Sequence, residues 1–406
     1  MSTTSGAGMY QRRHDIDALR ALAFALVILY HVGMYYVADW HWHLKSAEPV
    51  AWLQLPMRAL NLWRLDLVFL ISGLSIGLLC HGARQGQEAG ALLKQRSRLL
   101  LLPLAFGMAV VVPYQPYAQA VANGSIAPGF MEFLLRYVQG GPWPPRAFDG
   151  WEVGVTWNHL WYLAYLWVYT LVLVLLLPWL RSGPGQTLAH AFRGLRGLRL
   201  MVFPVLPLLL YTGLLWPHFP VTHDLLRDAW AHAVYFTFFL YGYWIGVDAD
   251  WWAEVRRLRG RLLVGALLML VVYFVLRAQL SPATSLSFRH AVRFVGDIYL
   301  WWMVLAILGW AHHLLNRPWR WLPWANEQVY PWYVLHQTLL IVLIVQLAPL
   351  RLAPALEAVL LLAGTLVACA GLTALIRRVH GLRLCFGLKP RALGLPRSPL
   401  SGLSSS

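Results

Sequence analysis

Residues 18–38 read ALRALAFALVILYHVGMYYVA. Apart from Arg20 and His31 the stretch is apolar, aromatic or glycine. As a helix it is long enough to cross about 30 Å of hydrocarbon. A basic start followed by an apolar run also describes a signal peptide. Here Asp15, Asp17, Arg20 and His31 interrupt that pattern, and Asp39-Trp40 stands where a small-residue cleavage site would be, so a retained helix is expected. Nine more apolar runs follow, near 62–80, 99–118, 157–180, 200–217, 230–247, 262–279, 292–314, 329–348 and 355–376. Pro204, Pro207 and Pro217 interrupt the fifth span of the ten, which is tolerated where neighbours satisfy the freed carbonyls. The seventh is short enough to lie tilted or partly interfacial. The expected fold is all-α, a polytopic integral membrane bundle of about ten transmembrane helices.

Composition leads to the same class. Of 406 residues, 59% are hydrophobic and 12% charged, against about 45–50% and about 25% in ordinary soluble domains. Disorder is excluded, because its signature is low hydrophobicity. The 22 Trp and 18 Tyr suit a chain with two membrane–water interfaces. Three cysteines, Cys80, Cys369 and Cys385, have no paired spacing that would make a disulfide framework or metal motif.

The net charge of +16 would suggest nucleic acid in a soluble chain. Here the basic residues fall between apolar runs, and nucleic acid is not expected as a partner. Ten spans put both termini on one side of the bilayer. That side carries 22 Lys and Arg against nine on the other, with Arg20 and Arg64 left out as lying at or inside helix ends. The positive-inside rule then makes both termini cytoplasmic, in a cytoplasmic (inner) membrane. A single domain is expected over 1–389, with a disordered tail over 390–406. No internal repeat, heptad or low-complexity block appears. Residues 182–198 read as a polar cytoplasmic loop, and 119–156, rich in Gly and Pro, as a lid or substrate rim.

Ionisable residues within spans are costly and each is a functional candidate. In the first span, Asp17 precedes Arg20 by three residues and can pair with it. His31 lies eleven residues beyond Arg20, nearly on the same face and about 16 Å deeper. A buried imidazole can take a proton from an attacking hydroxyl. The alternative is an interfacial Asp–Arg anchor with a hydrogen-bonded core histidine. No metal site, phosphate loop or serine nucleophile elbow is expected. His41-Trp42-His43 fits an interfacial belt better than a metal site, and His312 and His313 fit an interfacial position.

Five segments in order resemble one family. Arg13–Ala23 with His31 resembles the opening of the acyltransferase-3 family of membrane acyltransferases, whose hallmark is Arg, ten residues, then His, matched by Arg20 and His31. Phe69-Leu70-Ile71-Ser72-Gly73 is similar to its Phe-x-x-Ser-Gly element. Arg96-Ser97-Arg98 is similar to its basic approach to the third helix. His159-Leu160-Trp161-Tyr162-Leu163 resembles its His-Leu-Trp-x-Leu element, and Tyr333-Val334-Leu335-His336-Gln337 its late Tyr-x-x-His signature. The resemblance covers roughly residues 12 to 390. The basic element departs from the commoner Arg-x-x-Arg, and Leu166 stands where many members carry Glu. That pattern, with Phe386-Gly387-Leu388-Lys389, looks closer to the subgroup that modifies periplasmic glucans, including by succinyl transfer.

The resemblance implies an enzyme that takes an acyl group of the acetyl or succinyl class from cytoplasmic acyl-CoA. It would pass that group to a hydroxyl of an extracytoplasmic carbohydrate. It implies His31 as general base or acyl carrier, with Arg20 and Asp17 ordering the donor end. Arg96 and Arg98 are the candidates for the donor's phosphates, with positive-inside anchoring as the alternative. His159, His336 and Trp161 are candidates for acceptor positioning or proton relay. The co-substrate is acyl-CoA, no bound cofactor or metal is expected, the bilayer is the surrounding partner, and a homodimer stays open. Arg64 and Asp66 are two apart and need other partners, so Arg64 is a candidate for the free carboxylate of a succinyl group. Arg293 and Asp297 have i,i+4 spacing and are expected to pair with each other. The rivals are a transporter or flippase, opposed by the lack of repeat symmetry or paired broken helices, and a non-catalytic scaffold for glycan synthesis.

Overall fold

The computed structural model describes residues 12–81, 89–246 and 248–389; the tail expected over 390–406 lies outside them. Helix α1 (His14–Tyr36) is the first span. A loop and the short α2 (Gln54–Asn61) lead into α3 (Arg64–His81). Helix α4 (Ala89–Phe106) passes into a π-helical turn, Gly107–Val111. The chain then bends by 40° into α5 (Tyr114–Ala122). The bend falls at Pro113, whose missing N–H cannot continue the ladder. Short α6 (Phe130–Val138) follows, then α7 (Trp161–Leu180).

Helices α8 (Gly183–Arg193), α9 (Gly197–Val202) and α10 (Leu206–Leu214) follow, the last two separated by a 3-10 turn at Phe203–Val205 that contains Pro204. Then come α11 (Ala229–Ile245), α12 (Ala249–Arg277), α13 (Leu286–Leu314), α14 (Leu322–Leu347), α15 (Pro354–Ile376) and the short α16 (His380–Cys385). The helices are joined by loops, and among the described residues a single isolated bridge, Val37 to Val50, lies outside them. The all-helical membrane bundle expected from the sequence is what the chain forms.

Among the described residues, eight helical stretches are long and apolar enough to cross a membrane, or nine counting the bent α4–α5 pair as one span. The expected span missing from that count is the sixth, α11, whose 17 residues rise only about 26 Å. It lies along α3, and two glycines explain how close the pair comes. A Cβ at Gly73 would stand 1.8 Å from the Phe239 carbonyl oxygen, and one at Gly242 would stand 2.0 Å from that of Leu70. Small residues let membrane helices touch backbone to backbone. The seventh span, expected to be short, is instead part of the 29-residue α12, which packs along α13. Val264, Leu268 and Val271 on α12, with Val359 and Val367 on α15, are exposed and suit a lipid-facing surface.

Both ends of the described chain share one face. Asp15 at the start of α1 holds His312 at the end of α13 at 2.8 Å, and Arg377 after α15 holds Glu327 near the start of α14 at 2.8 Å. This is the terminal face. The loop face, opposite, is built from residues 37–53, 139–157, 215–228 and 278–285.

Candidate functional site

A cavity of about 1340 Å³ lies beneath the loop face. Helix α1 sends His31 into it, α3 sends Arg64 and Asp66, the 3-10 turn Asn158–Leu160 sends His159, and the start of α7 sends Trp161. The Gly- and Pro-rich segment supplies its rim, as expected: Asp149, Gly150 and Thr156 line it. That rim has its own core of Phe133, Tyr137, Trp143 and Phe148, fastened where Trp143 Nε1 donates to the Gly154 carbonyl at 2.9 Å.

Three histidines, from α1, α14 and the 3-10 turn before α7, meet at the floor. The His31 and His336 rings are 5.0 Å apart, and those of His159 and His336 5.1 Å. Their hydrogen bonds fix which nitrogens carry protons. His336 Nδ1 lies 3.0 Å from the Trp332 carbonyl and 2.8 Å from that of Tyr333. Carbonyls only accept, so Nδ1 is the donor and Nε2 of the neutral ring accepts. His31 Nδ1, 3.1 Å from that Nε2, must then carry the hydrogen. The remaining nitrogen, His31 Nε2, keeps its lone pair, and the half-buried ring lines the cavity.

His159 is committed at both nitrogens. Its Nε2 donates to the Val334 carbonyl at 3.2 Å, and its Nδ1 accepts from Gln115 Nε2 at 3.3 Å. Its backbone carbonyl also accepts from Tyr333 O–H at 2.5 Å. His159 therefore positions its surroundings and has no free lone pair for a reacting hydroxyl. Gln115 Oε1 accepts from Asn158 Nδ2 and from Gln337 Nε2, each at 2.9 Å. Gln337 Nε2 also donates to His43 Nε2 at 3.0 Å, and His43 Nδ1 donates to Gln119 Oε1 at 2.9 Å. Burial holds the His43 ring below the usual imidazole range, with Asp149 working the other way. Asp149 accepts from His41 at 2.9 Å, so the His-Trp-His segment is tied to the rim. Among the described residues no three His, Cys, Asp or Glu are grouped to hold a metal ion.

Trp161 lines the cavity with His223 stacked on it at 4.3 Å. Buried Asp228 holds that loop, accepting from Thr222 N–H at 2.6 Å, His223 N–H at 2.8 Å and Tyr165 O–H at 2.7 Å. Desolvation keeps the His223 imidazole below its ordinary range.

Arg20 stands at the other end of α1, toward the terminal face. Its Nη2 donates to Ser75 Oγ at 2.6 Å, and its expected contact with Asp17 is present at 3.5 Å. Asp17 is held more closely by Arg12, at 2.9 and 2.8 Å. Half-buried Arg96 is an electrostatic neighbour of Arg20, Tyr162 and Tyr330. Arg98 is exposed; two residues along a helix is about 200° of rotation, so the two arginines leave the axis in different directions. Tyr162 connects the two ends. It lines the cavity, shares a 2.5 Å hydrogen bond with Ser72 Oγ and is an electrostatic neighbour of both Arg20 and Arg96.

Arg64 is buried, with its guanidinium carbon 3.7 Å from the centre of the Tyr30 ring and its Nε without a partner. Asp66 Oδ1 and Asp297 Oδ2 are likewise buried without partners. The ion pair expected between Arg293 and Asp297 is absent among the described residues. Arg293 instead lies over Trp216 at 4.2 Å and Trp230 at 5.4 Å, because two aromatic faces offer it a less hydrated resting place than one carboxylate a turn away.

His312, expected at the interface, is half-buried in an ion cluster. Asp15, fully buried, accepts from it at 2.8 Å and from Arg13 at 3.0 and 2.7 Å. Arg13 also caps the Trp252 ring at 4.0 Å. The residues that sequence reasoning passed over are Asp15 here and Gln115, Asn158 and Gln337 at the cavity floor. Gln337 stands beside His336 in the quoted late signature, so its signal was present.

Residues 13–374 match the family described as "Acyltransferase domain", which bears out the resemblance of the five motifs. The chain is similar to "Glucans biosynthesis protein C" of Escherichia coli strain SMS-3-5 / SECEC, with 25% identity over 177 residues, 42% of this chain and 40% of the relative. Proteins of the same name from Escherichia coli O1:K1 / APEC and O139:H28 strain E24377A / ETEC match with the same identity and coverage. The match therefore spans about two fifths of the length of these curated relatives. No solved structure matches the chain.

Proposed function

Because the chain belongs to this acyltransferase family, as a multi-pass membrane member of it, we propose that it transfers an acyl group from acyl-CoA to a carbohydrate hydroxyl. The acyl group is of the acetyl or succinyl class and the acceptor an extracytoplasmic glycan, with a glucan favoured by the name of the relatives. The terminal face is cytoplasmic in this reading, which the 22-to-9 bias of basic residues supports. The membrane is the cytoplasmic (inner) one.

One observation carries the reading: the free lone pair of His31 Nε2 at the cavity floor, fixed by the His336 contact at 3.1 Å. His31 Nε2 removes the proton of the acceptor hydroxyl as its oxygen attacks the thioester carbonyl carbon. The C–O bond forms, the C–S bond breaks, and the proton passes from His31 to the departing thiolate. Arg20 and Arg96 are the donor-binding pair, holding phosphate oxygens at the terminal face. Arg98 contributes through bulk charge. Asp17 orients Arg20, while His336 and His159 are positioning residues. Trp161 belongs to the acceptor side.

The test is purified protein with acyl-labelled CoA and glucan oligosaccharides, followed by mass spectrometry of the products. Wild type should consume the thioester only with acceptor present, and His31→Ala should lose transfer by about 10²–10⁴-fold while remaining folded. A folded His31→Ala protein with full activity would overturn the reading.

A further inference from the structure

The cavity wall far from Arg20 holds more positive charge than its neighbours balance. Besides Arg64, which lies against Tyr30 and Asn61, five arginines line it on the loop side. Two are accounted for. Arg289 donates to the carbonyls of Thr284, Ser281 and Pro282 at 2.9–3.1 Å, and Arg227 reaches Asp224 at 3.7 Å. The other three, Arg58 from α2, Arg277 at the end of α12 and Arg293 on α13, make no ion pair among the described residues.

These three are electrostatic neighbours of one another: Arg58 of Arg277, and Arg293 of both. Like charges brought together in a partly desolvated cavity repel, and such an arrangement persists where something stabilises it. Asp297 is in electrostatic range of Arg293, and Asp66 of Asp297 and Arg64, so two carboxylates face these three cations and Arg64. Aromatic rings set the orientation. Arg58 lies over Trp40 at 5.2 Å and Arg293 over Trp216 at 4.2 Å. A guanidinium stacked by its face leaves its in-plane N–H edge open to partners. Arg58 gives part of that edge to the Tyr273 hydroxyl, and the remaining N–H groups match the two oxygens of a phosphate or carboxylate.

We propose that Arg58, Arg277 and Arg293 form a subsite for an acidic substituent, a phosphate or carboxylate, carried by the carbohydrate acceptor. The inference rests on the acyl-transfer reading for the identity of the acceptor. The trio sits at the loop-side ends of α2, α12 and α13, while Arg20 and Arg96 hold the opposite end, so its ligand arrives from the loop face with the acceptor. Acceptors already bearing negative charge are then favoured over neutral ones.

Equilibrium binding tests this without turnover, so a failed transfer assay and a failed subsite are read separately. The purified full chain in phosphatidylcholine nanodiscs is titrated with a linear glucan heptasaccharide and with the same heptasaccharide phosphorylated at one primary hydroxyl. The phosphorylated form should bind tighter by on the order of tenfold at low salt, with the preference shrinking as salt rises. Inorganic phosphate should compete. Arg277→Gln and Arg293→Gln should each reduce the preference while leaving affinity for the neutral heptasaccharide intact, which also reports correct folding. Equal affinity for the two sugars, or a preference that survives both substitutions, overturns the proposal. A preference that vanishes when phosphatidylglycerol replaces phosphatidylcholine assigns the arginines to a lipid headgroup and overturns it as well.

Discussion

His336→Leu isolates what the neighbouring ring does for His31. His336 is fully buried, and leucine fills a similar volume, so packing changes little. What disappears is the acceptor 3.1 Å from His31 Nδ1. In the resting enzyme that bond joins two neutral rings and is worth about 0.5–1.5 kcal/mol. When His31 takes the acceptor proton it becomes cationic, and the same bond becomes charge-assisted, about 1.5–3 kcal/mol. The difference, about 1–2 kcal/mol, is stabilisation present only in the transition state. It corresponds to roughly a five- to thirtyfold fall in kcat. The Val27 carbonyl is a second partner for the His31 ring, which keeps the tautomer from inverting and the loss well short of the ~10⁴-fold seen when a catalytic imidazole is held in the wrong tautomer. KM for donor and acceptor should hardly move, because neither touches His336. Steady-state kinetics with labelled acyl-CoA measure both constants, and a thermal melt in detergent checks folding. An unchanged kcat refutes the reasoning. So does a folded variant as inactive as His31→Ala, since that would make His336 the base.

Arg64→Ala should cost succinyl transfer on the order of tenfold or more and leave acetyl transfer within a few-fold, because only a succinyl group presents a free carboxylate to the buried guanidinium whose Nε has no partner; equal losses would remove Arg64 from acyl recognition. Asp15→Ala leaves Arg13 and His312 without their buried anion and should destabilise the fold by about 3–5 kcal/mol, read as a fall in the detergent melting midpoint; a change under about 1 kcal/mol would show the cluster to be incidental. His43 predicts the sign of a pH effect. Burial lowers its folded-state value, so the unfolded chain binds the proton more readily. Stability is therefore fully present above about 6.5, the free imidazole value, and is lost as pH falls toward the depressed one. The melting midpoint should drop between pH 7 and 5, and His43→Gln should flatten that slope; an identical slope in the variant would assign it elsewhere.

The spans were legible because lipid demands long apolar runs, and Arg20 and His31 stood out because the same demand makes charge rare. Helical spacing also placed the two residues correctly on one stripe of α1. Spacing along a chain says nothing about partners on other helices, so the contact between His31 and His336, 305 residues apart, was beyond reach, and with it the proton assignment. The basic element shows the converse limit. Arg96 and Arg98 look equivalent in sequence, but helical rotation turns one inward and the other to the surface. Arg293 and Asp297 met every local rule for pairing, and two tryptophans from α11 and the loop before it outbid the carboxylate. Nothing local in the sequence brings Arg58, Arg277 and Arg293 together, since they lie on α2, α12 and α13.

The backbone departs from regular helix where the chemistry is proposed. The π-helical turn Gly107–Val111 falls beside the histidine cluster. A Cβ at Gly107 would stand 2.4 Å from a Leu160 methyl, so glycine lets α4 approach the His159 segment. One extra residue per turn frees a carbonyl, and the Val111 oxygen accepts from Thr338 Oγ1 at 2.9 Å. Thr338 in turn accepts from Gln115 Nε2 at 2.7 Å, which leaves Gln115 aimed at His159. Irregular backbone at membrane depth persists only where protein or a cavity satisfies it, and here the Val111 oxygen is satisfied by the chain that orients His159. An uninterrupted α-helix over 107–111 would rotate Gln115 by roughly 100° for each residue of register lost, releasing His159 and the floor beneath His31. The π-helical turn that holds Gln115 against His159 thus lies immediately before the bend that makes the third span hard to count.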